Sequence, residues 1–413
     1  MTVTEETAGE AAAAQVAAVA PTPPELALRS RHGQAVLGGF TLAHFAHHLS
    51  NSLLNPLLPL IRDTFALSYA QSGFAVSAFA VSLGFANMPL GLLADRIGHR
   101  LVVVTGLVVL GGVSAALALA GSYAELLLLL VAMGIASGTY HAPAATLIAR
   151  TFPVSIRGAA LGLHITGGHL AFFAAPLVAG VLAASAGTWR APYLAFAAAP
   201  IACGLLLWTL APKGHQVPVA AGGLAPLRDV VAVMRAVGPL VSLSILFQVG
   251  FAAFLAFMTL YLVDARGVSP AVAAALFGFP QLLGMLGAPL GGAVSDRLGR
   301  RAVILIGLGA LGPATWAFTA VPNELLLVPL GVIGIASAMR MTVTEVLVLD
   351  SAPAERRATV LGTYYLVSQE VGGVAAPAFG AIAGAIGIAS AFGGLALTLV
   401  LFSAIAVLVG RRL

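Results

Sequence analysis

The chain has 413 residues, of which 60% are hydrophobic and only 8% charged, with a formal net charge of +5. Soluble domains carry about 25% charged residues, so this composition, with a mean hydropathy of +1.01, excludes a water-soluble monomer and makes the bilayer the solvent. The isoelectric point near 9.8 does not signal nucleic-acid binding, because the cations are scattered rather than gathered in a patch, and the single cysteine, Cys203, excludes an internal disulfide framework and CxxC metal sites.

Residues 1–35 are rich in Ala, Pro and Glu and are expected to form a disordered cytoplasmic tail. They do not read as a signal peptide, since Glu5, Glu6 and Glu10 stand where a basic segment is needed. A spanning helix takes about 20 apolar residues. By that measure the first half holds spans 1–6 near 36–60, 70–94, 101–121, 124–149, 158–184 and 190–211. Residues 212–237 form a polar cytoplasmic linker. The second half holds spans 7–12 near 238–262, 270–294, 302–321, 325–349, 358–386 and 388–409. The expected fold is therefore an all-α membrane protein with twelve transmembrane helices in two six-helix bundles, residues 36–211 and 238–410. With both termini in the cytoplasm, sixteen Lys and Arg fall inside and only Arg62, Arg190 and Arg266 outside, as the positive-inside bias requires.

The halves are copies. Gly91-Leu-Leu-Ala-Asp95-Arg96-Ile-Gly98-His-Arg100 returns 201 residues later as Gly292-Ala-Val-Ser-Asp296-Arg297-Leu-Gly299-Arg-Arg301. Gly134-Ile-Ala-Ser137 returns as Gly334-Ile-Ala-Ser337, and Arg157, Gly162 and Pro176 match Arg357, Gly362 and Pro377. Parallel six-span repeats are one known transporter construction, with the substrate site near the midplane between them.

On these motifs the chain resembles the major facilitator superfamily over residues 36–410. The opening His44-Phe-Ala-His47-His48-Leu-Ser-Asn51, with Pro59 and Phe65-Ala-Leu-Ser68, is similar to fosmidomycin-resistance-like efflux proteins. The antiporter motif of span 5 survives only as Ala175-Pro176-Leu-Val-Ala179-Gly180. The resemblance implies that the duplicated turns act as a conformational latch closing the cytoplasmic side. In this reading Asp95 faces the N-terminus of span 11 and Asp296 that of span 5, where helix dipoles favour a negative charge. Gly91 and Gly292 permit close helix contact, and Gly98 and Gly299 permit tight turns. Arg96 and Arg297 are available to acids at neighbouring helix ends, with Asp350 the expected partner of Arg297. Arg100 and Arg301 complete the motif.

Ionisable residues at mid-depth are costly and mark function. Glu370, about 18 Å into span 11, and Arg340 in span 10 are expected to form a proton-coupling pair, with His169 at the position equivalent to Glu370. In span 1, His44, His48, Asn51 and Asn55 fall within about 60° of one another at 100° per residue. Together with Tyr140, His141, Gln248 and Tyr364 they are the candidate substrate cavity. Histidine suits proton relay, metal ligation or hydrogen bonding to a polar substrate. An organic substrate is favoured over a metal, since a metal shell needs three or four ligands to converge from separate spans.

The expectation is a secondary transporter, proton-coupled, exporting a small polar or amphiphilic molecule by alternating access, as a monomer in the inner membrane. No Gly-x-x-x-x-Gly-Lys-Ser/Thr loop is present, and no nucleophile–base constellation suggests an enzyme. No cofactor, no metal and no nucleic acid are expected. The alternatives are transport of a metal ion or chelate, or a non-transporting sensor on the same fold.

Overall fold

The structure is a computed structural model that describes residues 30–212, 227–351, 357–410 and 412. Fourteen α-helices follow in chain order: α1 (Arg31–Asn51), α2 (Leu54–Phe65), α3 (Tyr69–Ile97), α4 (His99–Leu117), α5 (Tyr123–Ser137), α6 (His141–Thr151), α7 (Val154–Ala186), α8 (Arg190–Leu210), α9 (Leu227–Asp264), α10 (Pro270–Leu298), α11 (Arg300–Ala320), α12 (Leu327–Asp350), α13 (Arg357–Ile386) and α14 (Ile388–Gly410). They make up the twelve expected spans, with span 1 divided into α1 and α2 and span 4 into α5 and α6. Only helices can satisfy their own backbone in lipid, and among the described residues every long element is helical. Among the described residues, ten stretches are long and apolar enough to cross a membrane.

Two boundaries differ from the sequence reading. Helix α1 starts at Arg31, because the Ser30 side chain caps it by accepting from Gly33 N at 3.0 Å. Helix α9 starts at Leu227, inside the expected linker, because no Gly or Pro interrupts the chain until Gly238-Pro239. The rest of the linker and most of the N-terminal tail lie outside the described residues.

The two breaks have one cause. Proline lacks an N–H and its ring clashes with the carbonyl four residues back. Pro56 strikes Ser52, and Pro143 strikes Thr139. The helices stop there: α1 ends at Asn51 and α5 at Ser137. At the equivalent positions 200 residues on stand Ala256 and Val343, and α9 and α12 run through unbroken. The repeat is therefore symmetric in path and asymmetric in these two helices.

Packing repeats too. Within the first half α4 lies on α8, α1 on α7 and α3 on α5; within the second, α11 lies on α14, α9 on α13 and α10 on α12. Caps repeat as well: Ser68 caps α3, accepting from Gln71 N at 3.2 Å, and Ser269 caps α10, accepting from Val272 N at 3.4 Å.

The halves meet through α3 against α13 and α7 against α10. Small residues allow this, as is usual between membrane helices. A Cβ on Gly73 would run into the backbone of Ala376 and Pro377, and one on Gly278 would lie 2.8 Å from Phe173 O. Ser77 donates to Gly373 O, and Thr259 Oγ1 donates to Asn55 O at 2.6 Å. Among the described residues, these inter-half contacts lie away from the duplicated turns. At the turn end, no atom lies within 4 Å of a Cβ built on Gly91, Gly98, Gly292 or Gly299. Among the described residues the halves are thus tied together at the end bearing Arg62 and Tyr69.

Candidate functional site

The span breaks place the histidines. His44, His47 and His48 lie on the last two turns of α1, and His141 opens α6 after the break in span 4. The Ser137 carbonyl, at the end of α5, accepts from Tyr140 N at 3.3 Å and has a second lone pair for a side chain. His47 Nε2 donates to that oxygen at 3.2 Å, and Asn51 Nδ2 donates to His47 Nδ1 at 3.3 Å. Both nitrogens of His47 are therefore committed to packing. His48 Nδ1 faces Asn51 Oδ1 at 3.2 Å, and His44 Nδ1 donates to His164 O at 2.9 Å. His48 Nε2 and His44 Nε2 are 3.1 Å apart. His164 in turn donates from Nδ1 to Phe40 O at 3.1 Å and stacks on His44. Gly168 makes room for the pair: a Cβ there would lie 2.7 Å from His44 Cε1 and 2.9 Å from His48 Cδ2.

His44 and His48 are buried, while His141 is the accessible member of the group. The convergence of ligands from separate spans that a metal shell would need is present for three side chains. His44, His48 and His141 each offer a nitrogen within 4.8 Å of the others, because two come from one helix face and the third from a helix that the Pro143 break redirects. Tyr140 needs correction as a cavity residue. It has no exposed surface, its hydroxyl donates to Phe40 O at 3.1 Å, and its ring stacks on His44 and His47.

The second half uses the same positions differently. Arg340, equivalent to Tyr140, is 3% exposed. Its Nη2 donates to Gln248 Oε1 at 2.7 Å and its Nη1 to Ser244 O at 3.3 Å, and its guanidinium lies 5.9 Å from the centre of the Phe247 ring. Gln248, Phe247 and Ser244 are the equivalents of His48, His47 and His44. Tyr364 is buried, and His169 is half-buried on α7. Asn55 Oδ1, at the seam between the halves, is buried with no partner among the described residues. The side chain of Glu370 lies outside the described residues, and the expected Glu370–Arg340 pair with it.

Among the described residues, the side-chain contacts of the latch acids fall within their own halves, while the residues just before span 11, which Asp95 is expected to face, lie outside the described residues. Asp95 bonds His99 at 3.1 Å, and Asp296 bonds the equivalent Arg300 at 2.9 Å. Asp350 pairs with Arg300 at 3.5 Å rather than with Arg297, because Arg300 opens α11 beside it while Arg297 is exposed. Arg96 is exposed like Arg297. Gly98 and Gly299 turn the chain at φ +104° and +84°. Arg100 donates to Trp208 O and Arg301 Nε to Gly410 O at 2.7 Å. Each arginine thus caps the last turn of its bundle's sixth helix, where carbonyls are unpaired.

Sequence reasoning missed the opposite end. There Arg62 on α2 bonds Asp264 at the end of α9, at 2.9 Å in one of two contacts, and Tyr69 Oη donates to Asp264 at 2.7 Å. This ties one half to the other. Burial alone would lower the Arg62 pKa, but hydrogen bonds and charges from Asp264 and Asp63 outweigh it and hold the guanidinium above its ordinary value. The guanidinium stays charged at any physiological pH.

Known proteins place this architecture. The chain is 26% identical to a hexuronate transporter of Bacillus subtilis (strain 168) over 62% of this chain, an alignment that spans less than two thirds (62%) of that protein. It is 25% identical to the fosmidomycin resistance protein of Escherichia coli (strain K12) over 86% of this chain and 88% of that one. Its fold matches a bacterial homolog of the human lysosomal transporter Spinster, solved in an inward-facing and unoccupied conformation, with a TM-score of 0.77 at 20% identity over 93% of this chain and 98% of that chain. The sequence profile of the Major Facilitator Superfamily matches residues 40–297 and 240–412. With its duplicated turns, its two six-span bundles and that match, this multi-pass membrane chain belongs to the Major Facilitator Superfamily and is a secondary transporter, not an enzyme.

Proposed function

We propose that the protein exports a small polar or amphiphilic molecule, driven by a proton gradient, through alternating access with both termini in the cytoplasm. The observation that carries this reading is the pair of buried polar clusters at equivalent positions of the two halves. One consists of His44, His48 and Asn51; the other of Ser244, Gln248 and Arg340. Polar groups this deep in a membrane protein mark substrate and ion pathways. Asn55 Oδ1 adds an unpaired acceptor at the seam, and buried acceptors are normally satisfied; a donor on the substrate would supply the partner. Likeness to the fosmidomycin resistance protein over most of both chains supports export. In this reading the duplicated turns face the cytoplasm, the side on which an exporter loads.

In this reading Glu370 carries the proton. It lies thirteen residues into α13, about 20 Å along the axis, and Arg340 and His169 are the groups expected to tune it. Proton binding and substrate binding then compete through the same space between the bundles.

The test is a susceptibility and uptake screen in a transporter-deficient host, with and without a proton gradient. The expected result is lower accumulation of at least one compound, abolished when a protonophore collapses the gradient. A well-folded protein that moves none of the compounds in either condition would favour a sensor on the same fold.

A further inference from the structure

We infer that His44, His48 and His141 form a binding site for one divalent transition-metal ion of the nickel, cobalt and zinc class. The argument begins with spacing. Histidines at i and i+4 project from one helix face, the arrangement by which paired histidines bind zinc on helices elsewhere. The hydrogen bonds then decide where the protons are. A carbonyl oxygen only accepts, so His44 Nδ1, at 2.9 Å from His164 O, carries the proton of that ring. His47 Nε2 must likewise donate to Ser137 O, which leaves His47 Nδ1 as an acceptor for the Asn51 amide nitrogen. That fixes the Asn51 amide with its oxygen toward His48, so His48 Nδ1 also carries its ring's proton.

A neutral imidazole has one N–H and one lone pair. The lone pairs of His44 and His48 are therefore both on Nε2, and these atoms face each other at 3.1 Å. Two lone pairs at that distance repel, and a shared cation turns the repulsion into coordination. Tetrahedral zinc with Zn–N near 2.0–2.1 Å places its ligand nitrogens about 3.3 Å apart, close to the spacing found. His141 supplies the third nitrogen, with its ring centre 5.4 Å from that of His44 and 5.2 Å from that of His48. It is also the accessible member, so the ion has a path in.

The outer partners fit the assignment. Metal-binding histidines donate their other N–H to a carbonyl or carboxylate-like oxygen, which orients the ring. His44 and His48 do so to His164 O and Asn51 Oδ1. His47 offers the contrast: both its nitrogens are spent inside the protein, as a purely structural histidine's would be. A trio of imidazoles without carboxylate or thiolate selects borderline metals over magnesium or calcium. Three protein ligands leave a fourth position for water or a bound anion, on the side that His141 leaves accessible.

The test is calorimetric titration of the full chain, purified through a tag lacking histidine, with nickel, cobalt and zinc chlorides. One ion per chain at micromolar or tighter Kd is expected, with a cobalt visible spectrum of low coordination number. His48→Asn and His141→Asn should each weaken binding by at least about tenfold, and Asn51→Leu, which touches no metal, by about 10–100-fold. His32→Asn, an exposed histidine outside the trio, should bind as the parent does. Should His48→Asn fail to fold by gel filtration, His141→Asn decides the matter, since it sits at an accessible position. Binding weaker than millimolar in the parent, or binding undiminished in folded His141→Asn, would overturn the assignment.

Discussion

Asp264→Asn should open the end of the molecule that is closed here. Asp264 accepts from Arg62 and from Tyr69 across the seam, and the side chains of Arg62 and Asp264 are only 16% and 17% exposed. A hydrogen bond to a charged group contributes about 1.5–3 kcal/mol. Two features reduce that here. Asp63 stays 2.7 Å from Arg62, so the guanidinium is not left unpaired, and both partners touch water, which weakens exposed pairs. A net loss of about 1–2 kcal/mol remains, and it falls only on the state in which the two halves touch at this end. That corresponds to an approximately 5–30-fold shift in the conformational equilibrium. Spin labels in a Cys203→Ser background would read it as distances. With labels at Thr64 and Glu324 the separation at the closed end should lengthen, and with labels at Leu93 and Leu298 the separation at the turn end should shorten. Distance distributions identical to those of the parent would refute the idea that this cluster holds the halves together.

Asp95→Asn should act in the opposite sense, because the contact proposed for Asp95 belongs to the state closed at the turn end; cysteine accessibility at both ends should show the population moving toward the arrangement described here, and equal labelling would count against the latch. Combined with Asp264→Asn, the two shifts should largely cancel, since the sites lie at opposite ends and distant effects add. Glu370→Gln should abolish gradient-driven transport while substrate exchange partly survives; unchanged gradient-driven transport would remove Glu370 from the mechanism. Gly168→Ala should destabilise by about 1–3 kcal/mol, the usual cost of overpacking, because its Cβ would press on the stacked rings of His44 and His48. Gly162→Ala, where nothing lies within 4 Å, is the control, and a thermal-unfolding midpoint equal in both would sink the argument.

The bundle count was legible because bilayer thickness imposes one length on every span, and the repeat was legible because the Asp-Arg-Gly turns are polar islands in apolar sequence. The two helix breaks were legible in principle. Pro56 and Pro143 announce them four residues ahead, yet in apolar runs of this length a proline does not end the span, so the spans were read as continuous. The convergence of His44, His48 and His141 was hidden for the same reason: without the break at 138–140, His141 has no defined direction relative to α1. The Arg62–Asp264 bond was not legible at all. It joins residues 202 apart in sequence, and the pseudo-repeat offers no hint, since the residues standing 200 positions from Arg62 and Asp264, Leu262 and Thr64, are both uncharged. Tyr140 misled the cavity assignment because a tyrosine beside histidines looks polar, whereas its hydroxyl is consumed by a backbone carbonyl.

The asymmetry between the halves bears on mechanism. Unbroken α9 and α12 lay Arg340 against α9, with Gln248 Oε1 and Ser244 O accepting its hydrogen bonds, and the result is a fixed positive element. The breaks between α1 and α2 and between α5 and α6 bring three imidazoles together, a site whose charge would depend on what it holds. Interrupted helices at mid-membrane are where transporters tend to place ion and substrate sites, because freed backbone groups join the coordination. A cation bound by the histidines would add positive charge on the first half opposite the fixed guanidinium on the second. Like charges on the two faces would resist closure of the space between them, whereas an anionic or strongly polar molecule bound there would relieve the repulsion. If the proposed metal site is occupied in this way, the two prolines that separate the repeats would divide the labour, one half presenting a permanent charge and the other a conditional one.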